Sequence, residues 1–216
     1  MYNDFSKYNA EDSYKIITSN ENPISFPDWE NIWQISIVKH LKRGEVFLNS
    51  GKISRYSAFV IEGIFKQSIN DQELNQRNLN FYFKGDLLCD CQSYRTNQPA
   101  VGSITALEAA VILVVNNDEL YRLKNTVLSI ALWSLSVSQS IMQKQSEHLQ
   151  IISIQNPVER YTYMVHNKAH MVTKISSKEI ARYLNVSRET ISRVRLKMVK
   201  SIKPVGKRSL QISSFA

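Results

Sequence analysis

The chain has 216 residues, 43% of them hydrophobic and 21% charged, which suits two packed cores and excludes a disordered chain. Its net charge of +8 is unevenly placed: residues 154–216 hold 13 Lys or Arg against 3 Asp or Glu, while residues 1–153 hold 14 against 16. That basic unit on a near-neutral body is either the footprint of a phosphate backbone or a solvated basic face. No run reaches the roughly 18 apolar residues that span a bilayer, so no membrane is expected. The polar start, Met1 to Ala10, lacks a signal-peptide core, and Cys89 and Cys91 are too few for a disulfide framework. A cytoplasmic location is the expectation.

Residues 1–30 read as polar and irregular, with one short helix around Trp29 to Ile35. From His40 to Val115 the texture is β-rich. Short runs (Val46–Leu48, Tyr56–Ile61, Ile64–Ile69, Leu79–Phe83, Ile104–Leu107, Val111–Val115) alternate with turn residues at Gly44, Gly51, Gly63, Asn70-Asp71, Gly85 and Asn116-Asn117. Many short strands at that spacing predict a β-barrel or β-roll.

Beyond Asn117 the pattern turns helical. Asp118 is expected to cap a short helix through Leu123, and a long helix is expected from about Thr126 to Ile152. Val127, Ile130, Ser134, Val137, Ile141, Lys144, His148 and Ile151 recur at spacings of three and four, as in a coiled-coil seam. Leu128, Leu132, Leu135 and Met142 form a second stripe. Two stripes suggest two covered faces, one on the β-domain and one on a partner chain; the alternative is one broad core-facing stripe. Pro157 opens a further helix, since a first turn does not need its missing N–H.

Ile175 to Met198 is the most informative stretch. Ser176-Ser177-Lys178-Glu179 fits a capping box, followed by an apolar face of Ile180, Ala181 and Leu184. Asn185 suits a turn that requires positive φ, Val186 plugs it, and Ser187 caps a second helix whose Ile191 and Val194 return to the first. This is the pattern of a helix-turn-helix. Its second helix then presents Arg188, Glu189, Ser192 and Arg193 to base edges, where arginine pairs with guanine O6 and N7 and glutamate accepts from cytosine N4. The same side chains could instead pair with one another or touch only phosphate. Arg195, Lys197 and Lys200 are expected to serve the DNA backbone or solvent. Residues 202–212, centred on Gly206-Lys207-Arg208, read as a basic hairpin wing.

These residues resemble the Crp/Fnr family of bacterial transcription regulators over nearly the whole chain. The likeness is strongest at Ile180 to Arg193, where Glu189 and Arg193 fall where the family reads bases. Arg188 resembles the catabolite-activator branch and Ser192 the Fnr branch, which leaves the half-site open. Lys42-Arg43-Gly44-Glu45, Gly51 and Ala58 to Gly63 resemble the opening strands of a cyclic-nucleotide-binding-like roll. The resemblance implies an α+β chain with three parts. These are an N-terminal antiparallel β-roll (a double-stranded β-helix) over residues 1–124, a dimerisation helix over 125–153, and a winged helix-turn-helix over 154–216. It implies a homodimer with Val127, Ile130, Val137, Ile141 and His148 at the seam. The dimer would bind double-stranded DNA at an inverted repeat. Ser177, Ser187, Thr190, Lys207 and Arg208 would contact the backbone. An activator would also meet RNA polymerase.

The sensor departs from the nucleotide-binding pattern. The family's Gly-Glu-Leu element reads Gly85-Asp86-Leu87 here, and its Arg-Ser pair reads Asn97 and Gln98. A cyclic phosphate would lose its guanidinium partner, and Arg95, two residues early, would serve only with a rearranged loop. No cyclic nucleotide is therefore expected, although an unidentified small-molecule effector remains possible. Two cysteines cannot hold an iron–sulfur cluster within one chain, and Cys89 and Cys91 are either small core residues or a redox pair. No cofactor, catalytic group or metal set is expected. Two rival readings stand beside a regulator: a protein-interaction module with a degenerate sensor, and a cupin-like enzyme. The enzyme suffers from its scattered histidines, His40, His148, His166 and His170.

Overall fold

The computed structural model describes residues 8–18, 24–71 and 75–202, with side chains described as far as Leu196. It divides into two compact units, Met1–Ser153 and Ile154–Ala216.

The first unit opens with two short helices, α1 (Ala10–Thr18) and α2 (Phe26–Gln34). Eight strands follow: β1 (Ser36–Leu41), β2 (Val46–Leu48), β3 (Tyr56–Glu62), β4 (Phe65–Asn70), β5 (Gln76–Tyr82), β6 (Leu87–Leu88), β7 (Ser103–Ala106) and β8 (Ala110–Asn116). Helix α3 (Cys91–Thr96) lies between β6 and β7. The strands form two four-stranded antiparallel sheets, in orders β1-β8-β3-β6 and β2-β7-β4-β5.

Strand alternation sorts the core into two layers. Ala58 and Val60 of β3 and Ala110 and Ile112 of β8 face inward, joining Leu41, Leu48, Phe65, Tyr82, Leu88 and Ile104 between the sheets. Their neighbours Phe59, Ile61, Val111, Leu113 and Val115 face outward onto the helices. Both central strands are thus buried on two faces, which is why their sequences run apolar without alternation. Two glycines are required here. Gly63 (φ +96) lies so close to β8 that a Cβ would meet Ala110 Cβ at 2.6 Å, and Gly85 turns the chain at φ +88 ahead of β6.

Helices α4 (Asn117–Thr126) and α5 (Leu128–Ser153) close this unit, with Val127 extended between them. The cap of α4 is Asn116, whose side chain accepts from the Asp118 N–H at 2.8 Å; Asp118, the cap expected from the sequence, lies inside the first turn. At 26 residues α5 is about 39 Å long. The second unit contains α6 (Pro157–Asn167), α7 (Ala169–Lys174), α8 (Ser177–Leu184) and α9 (Arg188–Ile202). Pro157 stands in the first turn of α6 as expected, with Asn156 as its cap. The chain is thus α+β, a β-roll of antiparallel sheets followed by a long helix. The expected wing lies outside the described residues.

Candidate nucleic-acid interface

Ser176 caps α8 through a hydrogen bond from the Glu179 N–H at 3.4 Å, while the Glu179 carboxylate accepts from Arg182 at 3.2 Å. Asn185 terminates α8 in the left-handed region (φ 53, ψ 50), and Val186 N–H returns to the Ala181 carbonyl at 3.0 Å. Ser187 begins α9 by accepting from the Thr190 N–H at 3.1 Å, and the two hydroxyls meet at 3.0 Å. Ile180, Ala181 and Leu184 of α8 and Ile191 and Val194 of α9 are all buried. Tyr161 and Met164 of α6, with Met171 and Ile175, are buried in the same unit. Ala181, having no side chain beyond Cβ, lets the two helices cross closely.

Arg188, Glu189, Ser192 and Arg193 are all exposed. Spaced i, i+1, i+4 and i+5, they make one row across the first turns of α9. Arg193 touches the Thr190 hydroxyl at 3.4 Å. The Glu189 carboxyl is held below its ordinary range, first by its own backbone N–H at the helix start, then by the Ser187 hydroxyl and by Arg188 and Arg193. At neutral pH the row therefore offers two guanidiniums, a hydroxyl and an ionised acceptor. Of the residues expected at the DNA backbone, Ser187 and Thr190 lie at the start of α9, while Lys207 and Arg208 fall outside the described residues.

Two arginines build this unit in ways the sequence reading missed. Arg195, expected to serve backbone or solvent, turns inward. It donates to the Tyr161 hydroxyl at 2.6 Å and to the Ser177 hydroxyl at 2.7 Å, and its guanidinium lies 5.8 Å from the Tyr161 ring centre. It ties α9 to α6 and to the start of α8, and it occupies the hydroxyl of Ser177, another expected backbone contact. The signal was spacing: Arg195 lies one turn after buried Ile191, on the packed flank of α9. Arg160 binds the carbonyls of Leu184 at 2.8 Å and Asn185 at 3.3 Å, satisfying the end of α8.

On the long helix the stripe expected at a partner chain is instead the one buried within the first unit. Ile130 and Trp133 are buried in the core of the first unit, and Val127 and Val137 pack against it. Ile141 and His148 are half-buried on the same side. The face offered by the sequence to a partner is thus turned to the roll over Val127 to Val137. The exposed stripe is Leu128, Leu132, Leu135, Met142 and Leu149.

In the region expected to be a sensor, Gly85 N–H binds the Val60 carbonyl at 2.8 Å and Leu87 pairs with Phe59. Asp86 caps its own turn by accepting from Phe83 N–H at 2.9 Å and forms an ion pair with Lys144 of α5. Asn97 ends α3 in the left-handed region, Gln98 is exposed, and the Gln98 carbonyl accepts from Ser93 at 2.6 Å. No guanidinium stands at either of these two positions, and Arg95 is exposed on α3. Among the described residues no cluster of three or more His, Cys, Asp or Glu could hold a metal, and no helix is long and apolar enough to cross a membrane.

Residues 38–126 match the family model of the cyclic nucleotide-binding domain. No curated protein sequence matches the chain. Among solved structures, FixK2 from Bradyrhizobium japonicum superposes with a TM-score of 0.67 at 14% identity, covering 77% of this chain and 86% of that one. CLP, a c-di-GMP-responsive global regulator of Xanthomonas campestris, gives 0.66 at 14% identity, covering 82% and 93%. A protein from Eubacterium rectale described as a transcriptional regulator of the crp/fnr family gives 0.63 at 16%, covering 85% and 88%. At such identities the likeness is one of fold. Residues 38–126 thus match the cyclic nucleotide-binding domain by sequence, in a chain that shares the fold of these solved proteins, one of them described as a Crp/Fnr regulator, over most of its length.

Proposed function

We propose that this protein is a sequence-specific DNA-binding transcription regulator of the Crp/Fnr type and not an enzyme. The observation that carries the reading is the exposed row Arg188, Glu189, Ser192 and Arg193 at the start of α9. Arg195 ties that helix to α6 and to the start of α8, and Arg160 binds the end of α8, within a unit that has 13 basic residues against 3 acidic ones. A helix N-terminus bearing two guanidiniums and a carboxylate suits the donor and acceptor pattern of the major groove. Lys207 and Arg208 supply further phosphate contacts, as do Ser187 and Thr190.

The protein acts as a homodimer on an inverted repeat, the two copies meeting along the exposed stripe of α5. Leu128, Leu135, Met142 and Leu149 are spaced by sevens, with Leu132 between the first two, so a two-fold partner places like against like. Residues 125–143 contain no Asp, Glu, Lys or Arg, which removes charge repulsion from a self-paired helix. Cyclic AMP and cyclic GMP are not its effectors, because Asn97 and Gln98 supply no cation and Asp86 is already paired.

Selection of binding sites from randomised duplexes tests the reading. An inverted repeat with half-site centres about 10 base pairs apart is expected; recovery of no enriched sequence would reject it.

A further inference from the structure

We propose that Cys89 and Cys91 form a reversible redox site, converted by a hydroperoxide into an intramolecular disulfide. The two sulfurs lie 3.1 Å apart, already in contact, and a disulfide at about 2.05 Å needs only about 1 Å of further approach. They are the only cysteines of the chain. The site belongs to the first unit and does not depend on the DNA-binding reading.

The two thiols are not equivalent. Cys91 is exposed at the first position of α3, and Cys89 is half-buried behind it, at the end of β6. The Cys91 thiol is pulled down to about 7, foremost by the hydrogen bond from Cys89 and next by the Lys124 ammonium, with burial opposing. Cys89 is pushed well above the ordinary thiol range by that same bond, by burial and by the neighbouring negative charge. Cys91 is thus the nucleophile and Cys89 keeps its proton until the second step.

In the first step the Cys91 thiolate attacks the outer oxygen of the hydroperoxide. The O–O bond breaks, the alkoxide leaves and takes a proton to become the alcohol, and Cys91 becomes a sulfenic acid. Cys89 then gives up its proton and attacks the Cys91 sulfur. The S–O bond breaks and hydroxide leaves with that proton as water. Two thiols and one hydroperoxide yield one disulfide, one alcohol and one water. A small dithiol reverses the change by exchange.

The surrounding contacts confine the change. Ser93 Oγ accepts from Ser54 N–H at 3.0 Å and donates to the Gln98 carbonyl, and the Tyr94 hydroxyl donates to the Asn117 carbonyl at 3.2 Å. These bonds hold the body of α3, so closure falls on residues 89–91 and the roll stays folded.

The test is hydrogen peroxide treatment of the full chain, read by intact mass and by counting free thiols. The expected result is a loss of about 2 Da and of both thiols, restored by dithiothreitol. Cys89→Ser is expected to stop at a sulfenic acid on Cys91 that dimedone traps, and Cys91→Ser to leave Cys89 slow to oxidise. Iodoacetamide labelling of the wild type should rise through about pH 7 at Cys91. The proposal is overturned if both thiols survive peroxide, if Cys91 gains oxygen without a disulfide, or if the disulfide joins two chains.

Discussion

Asp86 and Lys144 form an ion pair that fastens the turn ahead of β6 to the middle of α5. The Asp86 side chain is only 10% exposed and the Lys144 side chain 44%, so the carboxylate depends on this partner more than the lysine does. The resemblance sets Asp86 at the acidic position of a nucleotide-binding element, and in this structure its carboxylate pairs with the chain's own helix. Lys144→Ala is expected to lower stability by about 1–2 kcal/mol, a value discounted for the exposed lysine. Adding Asp86→Asn should recover part of that loss, because asparagine keeps the Phe83 amide bond without leaving an unpaired charge. Urea unfolding of both variants checks this; an unchanged midpoint for Lys144→Ala would show that the pair contributes nothing.

The two buried indoles should respond differently to truncation. Trp29 Nε1 donates to the Ala10 carbonyl at 3.1 Å and to Ser13 at 3.0 Å, whereas Trp133 Nε1 has no hydrogen-bond partner among the described residues. Both rings pack on Phe59 and on each other. Trp29→Phe is therefore expected to cost about 1–2 kcal/mol more than Trp133→Phe. Equal losses in thermal unfolding would contradict this ordering.

Trp133 also explains what was legible in the long helix and what was not. Spacing reveals two apolar stripes, but periodicity alone does not say which one faces the roll. Trp133 shares a face with Ile130 and Val137, and burying the largest side chain turns that face inward. Among the strand runs, those of β3 and β8 were the plainest because both strands are buried on both faces. Strand β1 was not legible, because Lys39 and His40 break its pattern, and β6 is only two residues long, held by β3. Helix α1 buries chiefly Ser13 and Ile17, a face too small to leave a periodic signal. In the second unit the cap, the turn and the exposed row of α9 follow from residue types at fixed offsets. Spacing from Ile191 puts Arg195 on the packed flank of α9, but its partner Tyr161 lies 34 residues away, so the bond itself has no local signal.

The stripe assignment predicts oligomeric state. Leu135→Glu with Met142→Lys is expected to give a folded monomer in sedimentation, since both residues are exposed. Val137→Glu should instead damage the core it packs against and lower the unfolding midpoint. A dimer that persists in the Leu135/Met142 variant would place the interface elsewhere.

Arg195 and Arg193 should separate stability from reading. Arg195→Met is expected to destabilise the second unit by about 1–3 kcal/mol by removing the bonds to Tyr161 and Ser177. Arg193→Ala should leave unfolding within about 0.5 kcal/mol of wild type, as for an exposed surface position. Calorimetric unfolding of the two variants makes the comparison, and a larger loss for Arg193→Ala would reverse the roles.

The central claim, that the start of α9 reads bases, is tested most directly by fluorescence anisotropy of wild type, Arg188→Ala and Arg193→Ala. Each is titrated against the selected duplex and its single-base variants across a salt series. Wild-type affinity should fall steeply with salt while preference for the selected site persists. At least one arginine variant should lose about 1–3 kcal/mol on the selected duplex and cease to discriminate at one G·C position, with discrimination elsewhere retained. Contradiction would be both variants binding every duplex more weakly by the same factor, with the base preference of the wild type intact.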